Sequence, residues 1–238
     1  MKEKKALVLF SGGLDSTLTT CKMIESDYKV TLVHYDNGCS SGTENVLVMA
    51  QRLIDRYGKK SVDFWGTGMI IGYFKALSSS EILSDPAQLV QKYPHLTMQQ
   101  FTCLACRSAM YVYSILLCQK LGISVVAEGA RKSQLFALEQ EKMILKYKKL
   151  LKKFQIKLVT PLLTLESDKD REIELMIRGI IPKTYESQCW LGTPMEKTLT
   201  SKQERDVLKI FDDEIKPKCL KLIKMSKKID LDPRGKMF

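Results

Sequence analysis

The sequence predicts an α/β protein: a doubly wound, mostly parallel five-stranded sheet with helices on both faces and a helical C-terminal extension. Three observations carry that expectation. Residues 7–10 (Leu-Val-Leu-Phe) form the unbroken apolar run of a strand covered on both faces. The run stops at Ser11-Gly12-Gly13 and yields to helix-competent sequence over 18–24, so the order is strand, glycine turn, helix. The same order returns at once, with an apolar segment at 30–35 and then helical periodicity through Val46, Ala50, Leu53 and Ile54. Strands alternating with helices at this spacing belong to parallel sheets, whose ligands sit at the carboxyl ends of the strands.

The remaining elements follow in order. Residues 36–42, rich in Gly, Asn and Ser, form the loop after the second strand, and 44–57 the helix after it. Residues 62–68 form a third strand, weakened by Asp63, Gly66 and Gly68. Between 78 and 102 the pattern dissolves into polar residues with Pro86 and Pro94, which reads as an insertion or lid. An apolar helix at 109–121 leads into a strand at 123–127 that ends in Glu128-Gly129-Ala130-Arg131. A basic helix at 139–153 precedes a fifth strand at 156–159 and a charged helix at 166–177. The loop at 182–194 carries Cys189-Trp190, and helical Lys-rich sequence from 200 fades into a tail at 232–235. The domain expectation is a core of residues 1–195 and an extension of 196–238, with no internal repeat.

At 238 residues and 45% hydrophobic content the chain can bury one substantial core. No run reaches the roughly 18 consecutive apolar residues of a membrane span, and the start lacks a signal-peptide pattern. A cytoplasmic protein with no membrane partner is expected. Seven cysteines, an odd number, read as free thiols, ligands or redox groups in a reducing compartment. The net charge of +11 favours anionic partners, nucleic acid among them. The candidate contacts are Lys142, Lys146, Lys149 and Lys153 on the basic helix, although such a run is ordinarily a solvated face.

Gly12 and Gly13 let backbone N–H groups approach a ligand closely, Ser11 and Ser16 add hydroxyl donors, and a helix N-terminus adds its dipole. Such a site wants a polyphosphate. It has neither the Lys of a Walker A loop nor the G-x-G-x-x-G of a dinucleotide fold. Ser11-Gly12-Gly13-Leu14-Asp15-Ser16 resembles the PP-loop of the ATP pyrophosphatase superfamily, which has the adenine nucleotide alpha hydrolase-like fold and splits ATP between its α and β phosphates to adenylate a substrate. The resemblance implies that Ser11, Gly12, Gly13 and Ser16 hold pyrophosphate and that Asp15 sits beside Mg²⁺ or orients the reacting groups. Ligand binding at the carboxyl ends of the strands puts residues 33–37, His34 among them, and Gly129 at the nucleotide, with His34 given no chemical role beyond packing or lining it.

Cys103-x-x-Cys106 alone is ambiguous among a metal pair, a redox dithiol and packing. If Cys189 folds back to the pair, three thiolates could hold an iron–sulfur cluster with one iron open. Alternatively Cys189 and one of the pair could carry and resolve a persulfide without metal. Residues 102–110 and 127–134, with Pro161-Leu162-Leu163, Asp168-Lys169 and Cys189, resemble the catalytic domain of tRNA 4-thiouridine synthetases of the ThiI type. By that resemblance Cys189 meets sulfur or substrate, Asp168 and Lys169 lie near the adenylation site, and Cys103 and Cys106 match the C-x-x-C of cluster-bearing members. Members carry an N-terminal RNA-binding module that has no counterpart ahead of the first strand, so RNA contact falls to the basic helix, the tail or a second protein.

The function expected is therefore ATP-dependent adenylation followed by sulfur transfer, with Lys169, Arg107 and Arg131 stabilising charge on phosphorus. The partners expected are ATP with Mg²⁺, a tRNA or nucleobase-like acceptor, sulfide or a sulfur donor protein, and a second copy of the chain. One alternative is ammonia as nucleophile, as in 7-cyano-7-deazaguanine synthase. That family usually carries a four-cysteine zinc cluster near the C-terminus, where this chain offers only Cys189 and Cys219. The other is a nucleotide- or RNA-binding module without chemistry.

Overall fold

In the computed structural model the N-terminal apolar run becomes β1 (Lys5–Leu9), buried at every position after Lys5. The structure describes residues 3–79, 86–134, 137–183, 185, 188–190 and 200–226. Alternation along β1 feeds two cores. Leu7 and Leu9 join one cluster, while Ala6 and Val8, with Phe10 beyond them, join another on the opposite face. Burial on both sides is why the segment reads as continuously apolar rather than alternating.

β2 (Lys29–Asp36), β4 (Val62–Met69), β5 (Val125–Ala127) and β6 (Lys157–Val159) complete a five-stranded sheet in the order β4-β2-β1-β5-β6, with every neighbouring pair parallel. β3 (Ser40–Ser41) and β7 (Gln188–Cys189) form a separate antiparallel ribbon. The five sheet strands lie within two residues of their expected bounds. α1 (Leu14–Glu25), α2 (Asn45–Tyr57) and α7 (Asp168–Ile177) cover the Val8 face through residues such as Leu18, Met49 and Leu175. The Leu7 face is covered by α3 (Ile71–Ser78), α4 (Pro86–Lys92), α5 (Met98–Leu121) and α6 (Glu141–Lys152). α8 (Ser201–Ile210), a π-helical turn at Phe211–Ile215 and α9 (Lys216–Ser226) close that same core with Val207, Phe211, Ile215 and Ile223. The expected tail at 232–235 lies outside the described residues.

The stretch 78–102, expected as an insertion or lid, contributes through its described residues to the Leu7 core. Leu89 on α4 and Tyr93 just after it are buried in the Leu7 core with Phe101. α5 starts at Met98, eleven residues ahead of the expected helix, because Thr97 forms a capping box with Gln100: its hydroxyl accepts from the Gln100 N–H, and the Gln100 side chain accepts from the Thr97 N–H. Residues 80–85 lie outside the described residues. α5 is also long and apolar enough to cross a membrane by length and composition, and 78% of its most apolar window is buried inside the protein. It is the central helix of the Leu7 core.

Two of the four lysines expected to meet nucleic acid are held within the protein. Lys142 pairs with Glu204 on α8 at 2.9 Å, and Lys146 pairs with Asp212 in the π-helical turn. Lys149 and Lys153 are exposed. The basic face of α6 thus serves in part to dock the C-terminal helices.

Candidate active site

β1 is bonded to β2 on one side and to β5 on the other, so the strand order reverses at β1. This is the switch point at which open α/β sheets bind ligands. A cavity of about 350 Å³ opens there, lined among others by Ser11, Asp15, Ser16, His34, Cys106 and Glu128.

Its floor is the turn from β1 to α1. Ser11 Oγ lies 3.2 Å from Ser16 Oγ and accepts from the Gly13 N–H at 3.2 Å, and Ser16 Oγ donates to the Gly13 carbonyl at 3.0 Å. Gly12 has φ +77°, and a Cβ there would stand 2.9 Å from the Tyr185 carbonyl oxygen. No side chain caps α1 at Gly13, so the helix N-terminus keeps donors for an anion. Gly129 after β5 passes over the start of α1 so closely that a Cβ would lie 2.8 Å from the Asp15 carbonyl carbon.

Asp15 stands between two guanidinium groups. Arg131 Nε lies 2.8 Å from its Oδ1, and Arg171 Nη1 lies 3.1 Å from each oxygen. Asp168 joins the pair, at 2.7 Å from Arg131 Nη2 and 3.4 Å from Arg171 Nη2. Lys169, expected at this site, is exposed, and its N–H is taken by the Ser167 hydroxyl that caps α7. The cation that α7 sends to the cradle is Arg171. The signal was the (i, i+3) spacing from Asp168, which places Arg171 on the same helix face.

The opposite wall is a charged group in which two buried carboxylates flank a half-buried arginine. Arg107 Nη1 contacts Glu128 at 2.6 Å and its Nη2 lies 3.6 Å from Glu139. Glu139 also accepts the Arg131 N–H at 3.1 Å, and burial raises its carboxyl to about 7. Glu128, Glu139 and Arg107 all line the cavity. Glu139 was missed in sequence because only the short 3₁₀ turn Ala137–Glu139 ahead of α6 turns it inward.

The sulfurs approach from a third side. Asn37, at the end of β2, donates through Nδ2 to Cys106 Sγ at 3.2 Å and lies 3.9 Å from Cys189 Sγ. Its Oδ1 accepts the Cys39 N–H at 2.8 Å. The β3–β7 ribbon, which sets Ser40 opposite Cys189, brings that cysteine back. Cys106 and Cys189 line the cavity, whereas Cys103, one turn earlier on α5, packs against the Leu7 core. Burial pushes the Cys103 and Cys106 thiols up to about 11. Among the described residues no three His, Cys, Asp or Glu side chains are arranged to hold a metal ion. Cys219 is fully buried in the Leu7 core beside Phe211 and Ile215. The residues present therefore fit neither the expected three-cysteine cluster nor a C-terminal zinc site as ready-made ligand sets.

A parallel sheet with a serine–glycine phosphate cradle at its switch point defines an adenine nucleotide alpha hydrolase-like fold of the PP-loop ATP pyrophosphatase class. The family model described as queuosine biosynthesis protein QueC matches residues 5–200, and the chain belongs to that family. ATP use comes with membership. No curated protein matches the chain. Among solved structures, a 4-thiouridine synthetase–RNA complex with bound ATP is similar in fold, with a TM-score of 0.60, 13% identity, and coverage of 94% of this chain and 53% of that one. This chain thus spans about half that synthetase. A predicted subunit of tRNA methyltransferase from Methanocaldococcus jannaschii gives a TM-score of 0.44 at 17% identity, over 82% of this chain and 100% of that one. The thiouridine synthetase likeness is thus one of fold, and the family is that of QueC.

Proposed function

We propose that the chain uses ATP to activate the carboxylate of a small heterocyclic acid and passes it to ammonia, in the manner of 7-cyano-7-deazaguanine synthase. The observation that carries this reading is a single cavity with an anion cradle on one wall and the half-buried Arg107 with buried Glu128 and Glu139 on another. The cradle residues Ser11, Gly12, Gly13 and Ser16 take the β and γ phosphates. A carboxylate oxygen of the acceptor attacks the α phosphorus, the bond to the bridging oxygen breaks, and pyrophosphate leaves with that electron pair. Ammonia then adds to the acyl carbon, AMP departs with the former carboxylate oxygen, and the amide forms on loss of a proton. Repetition on the amide oxygen, with loss of the remaining N–H protons, gives the nitrile.

Arg131 and Arg171, already beside the cradle through Asp15, stabilise charge on the phosphates as it develops. Mg²⁺, when bound, would neutralise charge on the polyphosphate, and Asp15 would be the cradle carboxylate to hold it in place of one of its guanidinium partners. Glu139, whose carboxyl is raised to about 7, is placed to take a proton from the incoming nitrogen nucleophile near neutral pH.

A second reading, sulfur transfer, is favoured by one observation: Cys106 and Cys189 face the same cavity with Asn37 between them. One assay separates the two. Purified protein is given ATP and Mg²⁺ with 7-carboxy-7-deazaguanine and ammonium, or with bulk tRNA and sulfide, and products are read by mass spectrometry. AMP with amide or nitrile supports the first reading. AMP with thiolated nucleoside replaces it with the second. No AMP in either mixture removes both.

A further inference from the structure

His34, near the carboxyl end of β2, is almost fully buried and lines the cavity. Its Nδ1 lies 3.1 Å from the carbonyl oxygen of Phe10. A carbonyl only accepts, so Nδ1 carries the hydrogen. Burial lowers the imidazole below its ordinary value against the pull of that carbonyl, so the ring is neutral near pH 7. Nε2 is then a bare lone pair, and among the described residues it has no partner. A buried acceptor left unmatched is unfavourable and calls for an explanation.

The surroundings supply one. Phe10 immediately precedes Ser11, the first residue of the phosphate cradle, and Leu9, Phe10, Tyr35 and Met110 line the same cavity as His34 with apolar surface. A nucleotide with its phosphates on Ser11 and Ser16 brings its remaining polar groups to the ends of β1 and β2.

We propose that His34 Nε2 accepts a hydrogen bond from the 6-amino group of adenine and so selects ATP over 6-oxopurine triphosphates. The inference rests on the ATP reading above and adds the residue that reads the base. Inosine triphosphate would set a carbonyl oxygen against the lone pair, whereas purine riboside triphosphate would merely leave Nε2 unmatched. The order expected is ATP, then purine riboside triphosphate, then inosine triphosphate.

The test is equilibrium binding of each triphosphate, without any acceptor, to the wild-type chain and to His34→Phe, whose ring is flat but has no acceptor. The wild type is expected to bind purine riboside triphosphate roughly ten-fold more weakly than ATP. His34→Phe, with a far-UV spectrum and melting curve showing it folded, is expected to bind the two alike. His34→Gln, whose amide oxygen can accept, is expected to restore part of the preference for ATP. Equal wild-type binding of ATP and inosine triphosphate overturns the inference alone. So does His34→Phe with the wild-type preference intact. A His34-dependent loss with 2′- or 3′-deoxyATP, and none with purine riboside triphosphate, overturns the assignment to the base and transfers the acceptor role to the ribose. No binding of ATP by the wild type overturns the ATP reading and this inference together.

Discussion

Arg171 places Nη1 3.1 Å from both carboxylate oxygens of Asp15, joining the first turns of two helices that are 156 residues apart in sequence. The contact puts a fixed, always-charged fork where a polyphosphate would lie. Removal of Arg171 is expected to lower AMP formation by roughly 100-fold. It is also expected to cost about 1–3 kcal/mol of stability, since Asp15 is partly buried. Arg171→Lys keeps the charge but cannot match two oxygens, and should fall between. Lys169→Ala, at an exposed position, should leave both quantities near wild type. An inactive Lys169→Ala beside an active Arg171→Ala would refute the assignment.

Gly129 offers a steric test. Its missing Cβ would fall 2.8 Å from the carbonyl carbon and 2.9 Å from the carbonyl oxygen of Asp15, backbone atoms that a rotamer change cannot move. Gly129→Ala is expected to displace the start of α1 and weaken ATP binding at least ten-fold, while the far-UV spectrum stays near wild type. Isothermal titration with ATP gives the answer. An affinity equal to wild type would mean that the loop yields freely.

Glu139 predicts a pH dependence of stability. Burial raises its carboxyl from 4.5 to about 7. Between those values the folded protein keeps a proton that the unfolded chain has released, so the group's contribution is full below the unfolded value and is lost as pH rises to the folded one. The size is on the order of 3 kcal/mol. Glu139→Gln keeps an acceptor for the Arg131 N–H and should abolish that decline. Urea unfolding at about pH 5 and about pH 7.5 measures it. Identical pH slopes in the two proteins would count against a raised carboxyl.

On α6, Lys142 and Lys146 are paired with Glu204 and Asp212, whereas Lys149 and Lys153, the residue capping the helix, are exposed. Lys142→Ala and Lys146→Ala are each expected to lower stability by about 0–1 kcal/mol, the range for exposed pairs. Reversal of both Lys149 and Lys153 to Glu should leave stability alone, weaken tRNA binding and flatten its salt dependence by about two phosphate contacts. Unchanged tRNA binding would take α6 out of any RNA surface.

The strand and the turn into α1 were legible because two independent signals coincide at residues 7–16: an apolar run that fits a doubly covered strand, and adjacent glycines that end it. The start of α5 was not, because Gln100, Thr102 and Arg107 interrupt the apolar pattern and the helix is fixed instead by a local cap at Thr97. Arg171 was passed over for Lys169 because the family resemblance singled out Asp168-Lys169 without giving the phase of each residue about the helix axis. That phase is set by Leu175, which packs into the Val8 core. Asn37 fell within the stretch expected at the nucleotide, but its contact with the sulfurs was not legible, and Glu139 was read only as the start of the basic helix; their partners come from where the end of β2 and a 3₁₀ turn point them.

The packing of Tyr147 has a consequence during synthesis. Its ring meets Phe211 edge-on at 5.2 Å, and Phe211 is made 64 residues later. At about 5–20 residues per second, α6 waits roughly 3–13 s for that cover. For most of that interval, from the completion of β6 at Val159 onward, a nascent chain that has all five strands of its sheet displays an aromatic, lysine-fringed surface to the ribosome and its attendant chaperones. The moment of greatest exposure to misassembly therefore falls late, after the nucleotide cradle has been made and before the helices that shield its rear core have emerged.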